Sequence, residues 1–154
     1  MSRADELSED LAELLERIVE ALDLDGDVEV VDDGETLTGT VHGDDLGLFI
    51  GHHGQTIDAI QHLASRMQYT DVERPSRRIV IDAGDYRERR RETLEDMADD
   101  AADEALRTGR PAPLVPMPAA ERRLVHEYLR DRDDIDTHSE GDEPDRRLVV
   151  APRG

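Results

Sequence analysis

The segment Ile50-Gly51-His52-His53-Gly54-Gln55-Thr56-Ile57 constrains this chain more than any other stretch. Two glycines stand three apart, and the second opens a run of apolar residues at helical spacing. Glycine reaches backbone conformations closed to other residues and lets another backbone come close. The first N–H groups of a helix have no partner within it and carry partial positive charge. A turn built this way presents those groups to an anion. By itself Gly-x-x-Gly fits an ordinary turn as well as a phosphate-binding one, so its surroundings decide.

Leu46, Leu48, Phe49 and Ile50 precede the loop as a short apolar helix, and Ile57, Ile60, Leu63, Ala64 and Met67 follow at helical spacing. Upstream, residues 3–22 read as an amphipathic helix with Leu7, Leu11, Leu14, Leu15, Ile18 and Leu22 on one face. Ser2 and Asp5 stand at capping-box spacing before it. Two strand-like runs, residues 28–32 and 36–42, flank the turn signal Asp32-Asp33-Gly34-Glu35 and predict a hairpin. A third run covers residues 77–82. The order is helix, strand, strand, helix, Gly-x-x-Gly, helix, strand. It resembles a type II KH domain over roughly residues 1–83. The resemblance implies a three-stranded sheet packed by helices. It also implies a loop at Gly51, His52, His53 and Gly54, with Gln55 beside it, that holds about four unpaired nucleotides by their backbone.

Ala83-Gly84-Asp85 closes this unit, and a helix is predicted from residue 85 to 108, stopped by Gly109-Arg110-Pro111. Its apolar face is Leu94, Met97, Ala98, Ala101, Ala105 and Leu106. Arg87, Arg89, Arg90 and Arg91 crowd its start, where cations oppose the helix dipole. Either they pair with acids a turn later, such as Glu92 or Glu95, or they touch phosphate; both readings are open. Residues 112–118 carry too many prolines for a central strand and suit an edge strand or a connector. A helix over residues 119–130 and strands over 135–139 and 147–150 complete the chain.

Arg122 and His126 stand four apart on that helix and so share a face. The Arg offers a planar, permanently charged fork, and the His adds a donor whose charge depends on pH. A solvated helix face has the same look. Here, however, the pair is followed by Thr137-His138-Ser139-Glu140-Gly141, then by Glu143-Pro144-Asp145-Arg146-Arg147-Leu148-Val149-Val150. This stretch resembles the R-3-H domain, named for that Arg and His, over about residues 84–152. Two domains are therefore expected, residues 1–83 and 84–154.

A KH unit followed by an R-3-H unit is similar to the Jag family, also called the SpoIIIJ-associated or KhpB family. The resemblance covers nearly the whole chain. It implies an α+β fold, with a type II KH domain followed by a small α+β R-3-H domain. It further implies a bacterial, cytoplasmic RNA-binding protein without enzymatic activity. Such a protein acts as an RNA chaperone or post-transcriptional regulator linked to cell elongation and envelope homeostasis. Its ligand is single-stranded RNA, with single-stranded DNA left open, and its partner is a small protein made of one KH domain. The implied contacts are Gly51, His52, His53, Gly54 and Gln55 in the loop, and Arg122, His126 and Arg146 in the second domain. Many Jag proteins carry a further N-terminal domain, whereas this chain begins at the KH unit. KH loops are often basic between their glycines, and here the two residues are histidines. Binding is expected to be weak near neutrality and stronger below about pH 6.5, where free imidazole protonates.

The formal net charge of −20 runs against a nucleic-acid ligand, because phosphate contacts normally need cations. The acid is unevenly spread: residues 1–45 hold 16 Asp and Glu against 2 Arg, and the other 17 Arg follow. All 19 basic residues are Arg. Genome base composition or a salt-adapted, solvated surface accounts for this; recruitment of a basic partner is the other use of such a surface. No cysteine is present, which excludes disulfides and thiolate metal sites. Nothing in the sequence resembles a leader or a membrane span. Phe49, Tyr69, Tyr86 and Tyr128 are the only aromatics, so stacking platforms are not expected to dominate recognition.

Two other functions stand beside RNA binding. An adaptor for another KH protein would bind little RNA itself. Under that reading Gly54→Asp folds normally and leaves partner binding intact, untouched by competing RNA. A hydrolase at His126, or a metal site at His52 and His53, fits less well. Adjacent histidines are expected to point apart, and no His-Glu-x-x-His or similar cluster appears. No cofactor, metal or small-molecule substrate is expected. His42, His62 and His138 read as structural or surface residues.

Overall fold

A computed structural model of the chain describes residues 2–68 and 76–154. Tyr69 lies outside the described residues. The chain forms two compact units, Met1–Arg87 and Glu88–Gly154.

The first unit opens with α1 (Arg3–Ala21), whose capping box forms as expected: Ser2 N–H donates to the Asp5 carboxylate, and Asp5 N–H donates to Ser2 Oγ. Strands β1 (Gly26–Asp32) and β2 (Thr36–Gly43) pair antiparallel, and β3 (Arg78–Ala83) joins β2 in parallel, giving the order β1-β2-β3. Between β2 and β3 lie α2 (Gly47–Ile50), a single 3₁₀ turn (His52–Gly54) and α3 (Gln55–Met67). This is the element order expected from sequence.

Leu7, Leu11 and Leu15 of α1 are buried with Leu37, Val41, Phe49, Ile57, Ile60, Ile79 and Ile81. Each such side chain contributes about 1.5–3 kcal/mol by leaving water. Helix α1 lies directly on β2: a Cβ on Gly39 would come within 2.6 Å of Leu15. Leu63 departs from expectation. It follows the helical spacing of α3 but is 51% exposed, because the core covers only the stripe of Ile57, Ile60 and Ala64.

In the second unit α4 (Tyr86–Thr108) buries Leu94, Ala98, Ala101, Ala102 and Ala105, while Leu106, expected on that face, is exposed. Helix α5 (Ala119–Leu129) contributes Val125 and Leu129 to the same core. Strands β4 (Ala112–Pro113), β5 (Ile135–Glu140) and β6 (Arg147–Pro152) form an antiparallel sheet in the order β4-β6-β5. The proline-rich stretch thus places its first two residues at a sheet edge, where a missing donor is tolerated. Among the described residues no helix is long and apolar enough to cross a membrane.

Candidate nucleic-acid interface

The first candidate surface is the turn between α2 and α3. Gly51 adopts φ 76° and ψ −179°, a region essentially reserved for glycine. A Cβ there would lie 2.2 Å from Thr56 Oγ1. Gly54 is left-handed at φ 82°, is buried, and approaches Tyr86 so closely that a Cβ would lie 2.4 Å from its hydroxyl. His53 is also left-handed, at φ 51°, a conformation in which His is tolerated better than most residues. The result is a sharp turn with both imidazoles exposed. Their rings lie 3.9 Å apart, tilted by 31°. The expectation that adjacent histidines point apart was wrong: the left-handed residue swings His53 back beside His52. Among the described residues no cluster of three or more His, Cys, Asp or Glu able to hold an ion is found. No side chain caps α3 beside the turn, and the first N–H groups of a helix find no partner within it.

The arginines at the start of α4 resolve individually. Arg87, the last residue of the first unit, donates from Nη1 to Asp58 at 2.8 Å, from Nη2 to Gln61 at 3.1 Å and from Nε to the Ile81 carbonyl at 3.0 Å, all within that unit. Arg90 makes a paired contact with Glu121 at 2.8 and 3.0 Å. Arg91 pairs with Glu88. None of these pairs uses Glu92 or Glu95. Glu88 stands three before Arg91, an ordinary helical spacing, whereas Asp58 and Glu121 stand on other elements, where spacing does not point.

The second candidate surface is a groove of roughly 410 Å³ in the second unit. Arg122, Arg123 and His126 line it from α5, Thr137, His138 and Ser139 from β5, and Arg146 and Leu148 from the region of β6. The structure therefore brings Arg122, His126 and Arg146 together, as their sequence context suggested. They differ in availability. The Arg122 side chain is only 9% exposed; both its terminal nitrogens donate to Glu143 Oε1, at 2.9 and 2.7 Å, and Nη1 also reaches the Met117 carbonyl. Arg146 donates to the carbonyls of Gly141 and Ser139, which folds the loop before β6 around its guanidinium. His126 is exposed, with Nδ1 2.5 Å from Thr137 Oγ1.

Sequence reasoning missed Tyr86, and named Thr137 and Glu143 only within the stretch that resembles the R-3-H domain, without a contact for either. Strand alternation offered a signal for Thr137, because it shares a face with buried Ile135. For Glu143 the spacing named no distant partner, and a contact such as Tyr86 with Gly54 leaves no local pattern.

The comparisons with known proteins cover both units. A family model described as "KhpA/KhpB, KH domain" matches residues 8–80, and one described as "R3H domain" matches residues 92–152. The RNA-binding protein KhpB of Clostridium symbiosum is 35% identical over 97% of this chain and 68% of its own length. That of Lactiplantibacillus plantarum is 38% identical over 93% of this chain, which spans 44% of it. That of Bacillus subtilis is 32% identical over 89% of this chain, which spans 66% of it. With a KH turn and an R-3-H groove built from the residues described above, the chain belongs to the KhpB family.

Proposed function

We propose that this protein binds single-stranded RNA at two places, the Gly51–Gly54 turn and the groove around His126, and catalyses no reaction. The carrying observation is the turn. Gly51 and Gly54 occupy conformations that glycine alone takes easily, and between them they set exposed His52 and His53 beside a helix start that no side chain caps. His52, His53 and Gln55 would line that backbone contact, while Arg122, His126 and Arg146 frame the phosphate groove. The reading assigns residues 1–83 to the KH domain and 84–154 to the R-3-H domain. The matched relatives are named RNA-binding proteins, which supports the ligand class. A role as an RNA chaperone or post-transcriptional regulator in the cytoplasm, tied to cell elongation and envelope homeostasis, rests on family resemblance. So does pairing with a small single-KH protein.

Fluorescence anisotropy with a labelled oligouridylate tests the reading. His52→Asp/His53→Asp is expected to weaken binding at least tenfold at low salt, since two exposed carboxylates then face the phosphates. Equal affinity of variant and wild type would remove the turn from the interface. No binding by wild type at low salt would favour the adaptor reading, in which the KH unit meets a protein partner.

A further inference from the structure

Resting on the phosphate-groove reading, we propose that Thr137 is a positioning residue for His126. In this arrangement its hydroxyl pins the imidazole through Nδ1 and leaves the Nε2–H as the atom that meets RNA phosphate. The groove supplies three reasons.

The first concerns what is free to bind. Arg122 is buried and committed to Glu143 and the Met117 carbonyl, and Arg146 to two loop carbonyls. Of the Arg and His that define the motif, His126 is the exposed one. Arg122 acts as the tie that fixes the start of α5 to the loop before β6.

The second is the hydrogen bond itself. The Thr137 hydroxyl lies at Nδ1, and Nε2 has no partner among the described residues. A hydroxyl at Nδ1 holds the ring orientation, and where it donates it keeps the hydrogen of neutral imidazole on Nε2. A hydroxyl suits this task in either charge state. In the proposed arrangement it donates to Nδ1 of neutral imidazole and accepts from Nδ1–H of imidazolium, so that Nε2 carries hydrogen in both; a hydroxyl accepting from a neutral Nδ1–H ring is the alternative that the spectra distinguish.

The third is placement. Thr137 pairs with Val150 in the ladder of β5 and β6, and shares its face with Ile135, which is buried in the core. The hydroxyl therefore comes from rigid backbone, and positioning from a strand is more accurate than from a loop.

Imidazole ¹⁵N spectra and oligouridylate binding, both at about pH 8, test this on the full chain. Thr137→Val keeps shape and strand preference but lacks the hydroxyl; Thr137→Ser restores it. The expected result for Thr137→Val is an unchanged melting temperature, a loss of the His126 signal of an Nε2-protonated ring in favour of mixed tautomers, and about fivefold weaker binding, the factor one ordinary hydrogen bond carries. Thr137→Ser should recover both signal and affinity. In a His126→Ala background Thr137→Val should cost nothing more, because it acts through the imidazole. Unchanged His126 signals in Thr137→Val overturn the proposal, and so does an equal loss of affinity without His126. If wild type binds no oligouridylate, the RNA reading falls, and the spectra alone still judge whether Thr137 sets the tautomer.

Discussion

Single residues in the two surfaces divide into those that shape the site and those free to touch a ligand. Gly54 shapes it. Gly54→Ala must hold an L-residue in the left-handed region, at about 1–2 kcal/mol, and must displace the Tyr86 ring. A loss of about 2 kcal/mol or more is expected in urea unfolding; a loss under about 0.5 kcal/mol would mean that the turn relaxes freely. Gly54→Asp, which was expected to fold normally under the adaptor reading, is thus a poor probe, and His52→Asp/His53→Asp on the exposed corner is the clean one. Arg122 belongs with Gly54. Arg122→Ala strands the Met117 carbonyl and empties a buried volume, so a loss of about 1–3 kcal/mol is expected. Glu143→Gln, at a side chain that is 58% exposed, should cost far less. Were Arg122 only a surface contact for phosphate, its removal would leave the urea midpoint where it was.

At the level of elements, short-range chemistry holds the corners. The β1–β2 turn is built on Asp33, whose carboxylate accepts from the N–H groups of Thr36 at 2.7 Å and Glu35 at 2.9 Å. Those bonds, that of Thr36 first, hold its carboxyl below the ordinary value of 3.8. A depressed folded-state pKa contributes stability above the unfolded value and loses it as pH falls through the folded one. Asp33→Ala should therefore melt lower than wild type at neutral pH, and the gap should close on acidification well below 3.8. A gap of constant size would assign the effect to something other than the carboxylate. This turn was legible in the sequence because Asp-Asp-Gly-Glu states its own hydrogen bonds. So were the helices, whose stripes of Leu, Ile and Ala repeat at a period that only one face satisfies, and the glycines of the turn, whose spacing is itself the conformation. What could not be read were bonds between elements: Arg87 to Asp58, Arg90 to Glu121, Arg122 to Glu143. Each joins residues more than twenty positions apart, and an arginine on a helix offers no mark of which distant acid it will meet. His53 was misread for a different reason. Its left-handed backbone is imposed by the glycines on either side, and nothing in a histidine announces it.

On the scale of the whole molecule the question is how a chain of net charge −20 can hold a polyanion. Within the first unit two of the acids of α1 lie away from the turn. Asp10 and Glu13 share a surface depression with Met67, at the C-terminal end of α3. The turn sits at the other end of that helix, and thirteen residues at 1.5 Å each put roughly 18 Å between them. The Debye length is about 8 Å at physiological ionic strength and lengthens to about 30 Å at 0.01 M. The charge of Asp10 and Glu13 is thus screened from the turn at physiological ionic strength, and acts on it only in dilute buffer. Asp44 and Asp45, just before α2, remain close, and Asp58 in the first turn of α3 is balanced by Arg87. Two opposing salt effects follow. Local contacts release counterions and weaken with salt, at a slope of about −0.7 per phosphate on a single strand, whereas long-range repulsion is relieved by salt. The plot of log affinity against log salt should therefore be shallow below about 0.05 M and steepen above about 0.1 M. Over the same series the melting temperature should rise, because screening relaxes the self-repulsion of the folded chain. Anisotropy and thermal melts in matched buffers give both curves. A slope equally steep from the lowest salt upward would show that the acidic surface never reaches the RNA, and a melting temperature falling with salt would mean that the ion pairs of the arginines outweigh the repulsion among the acids.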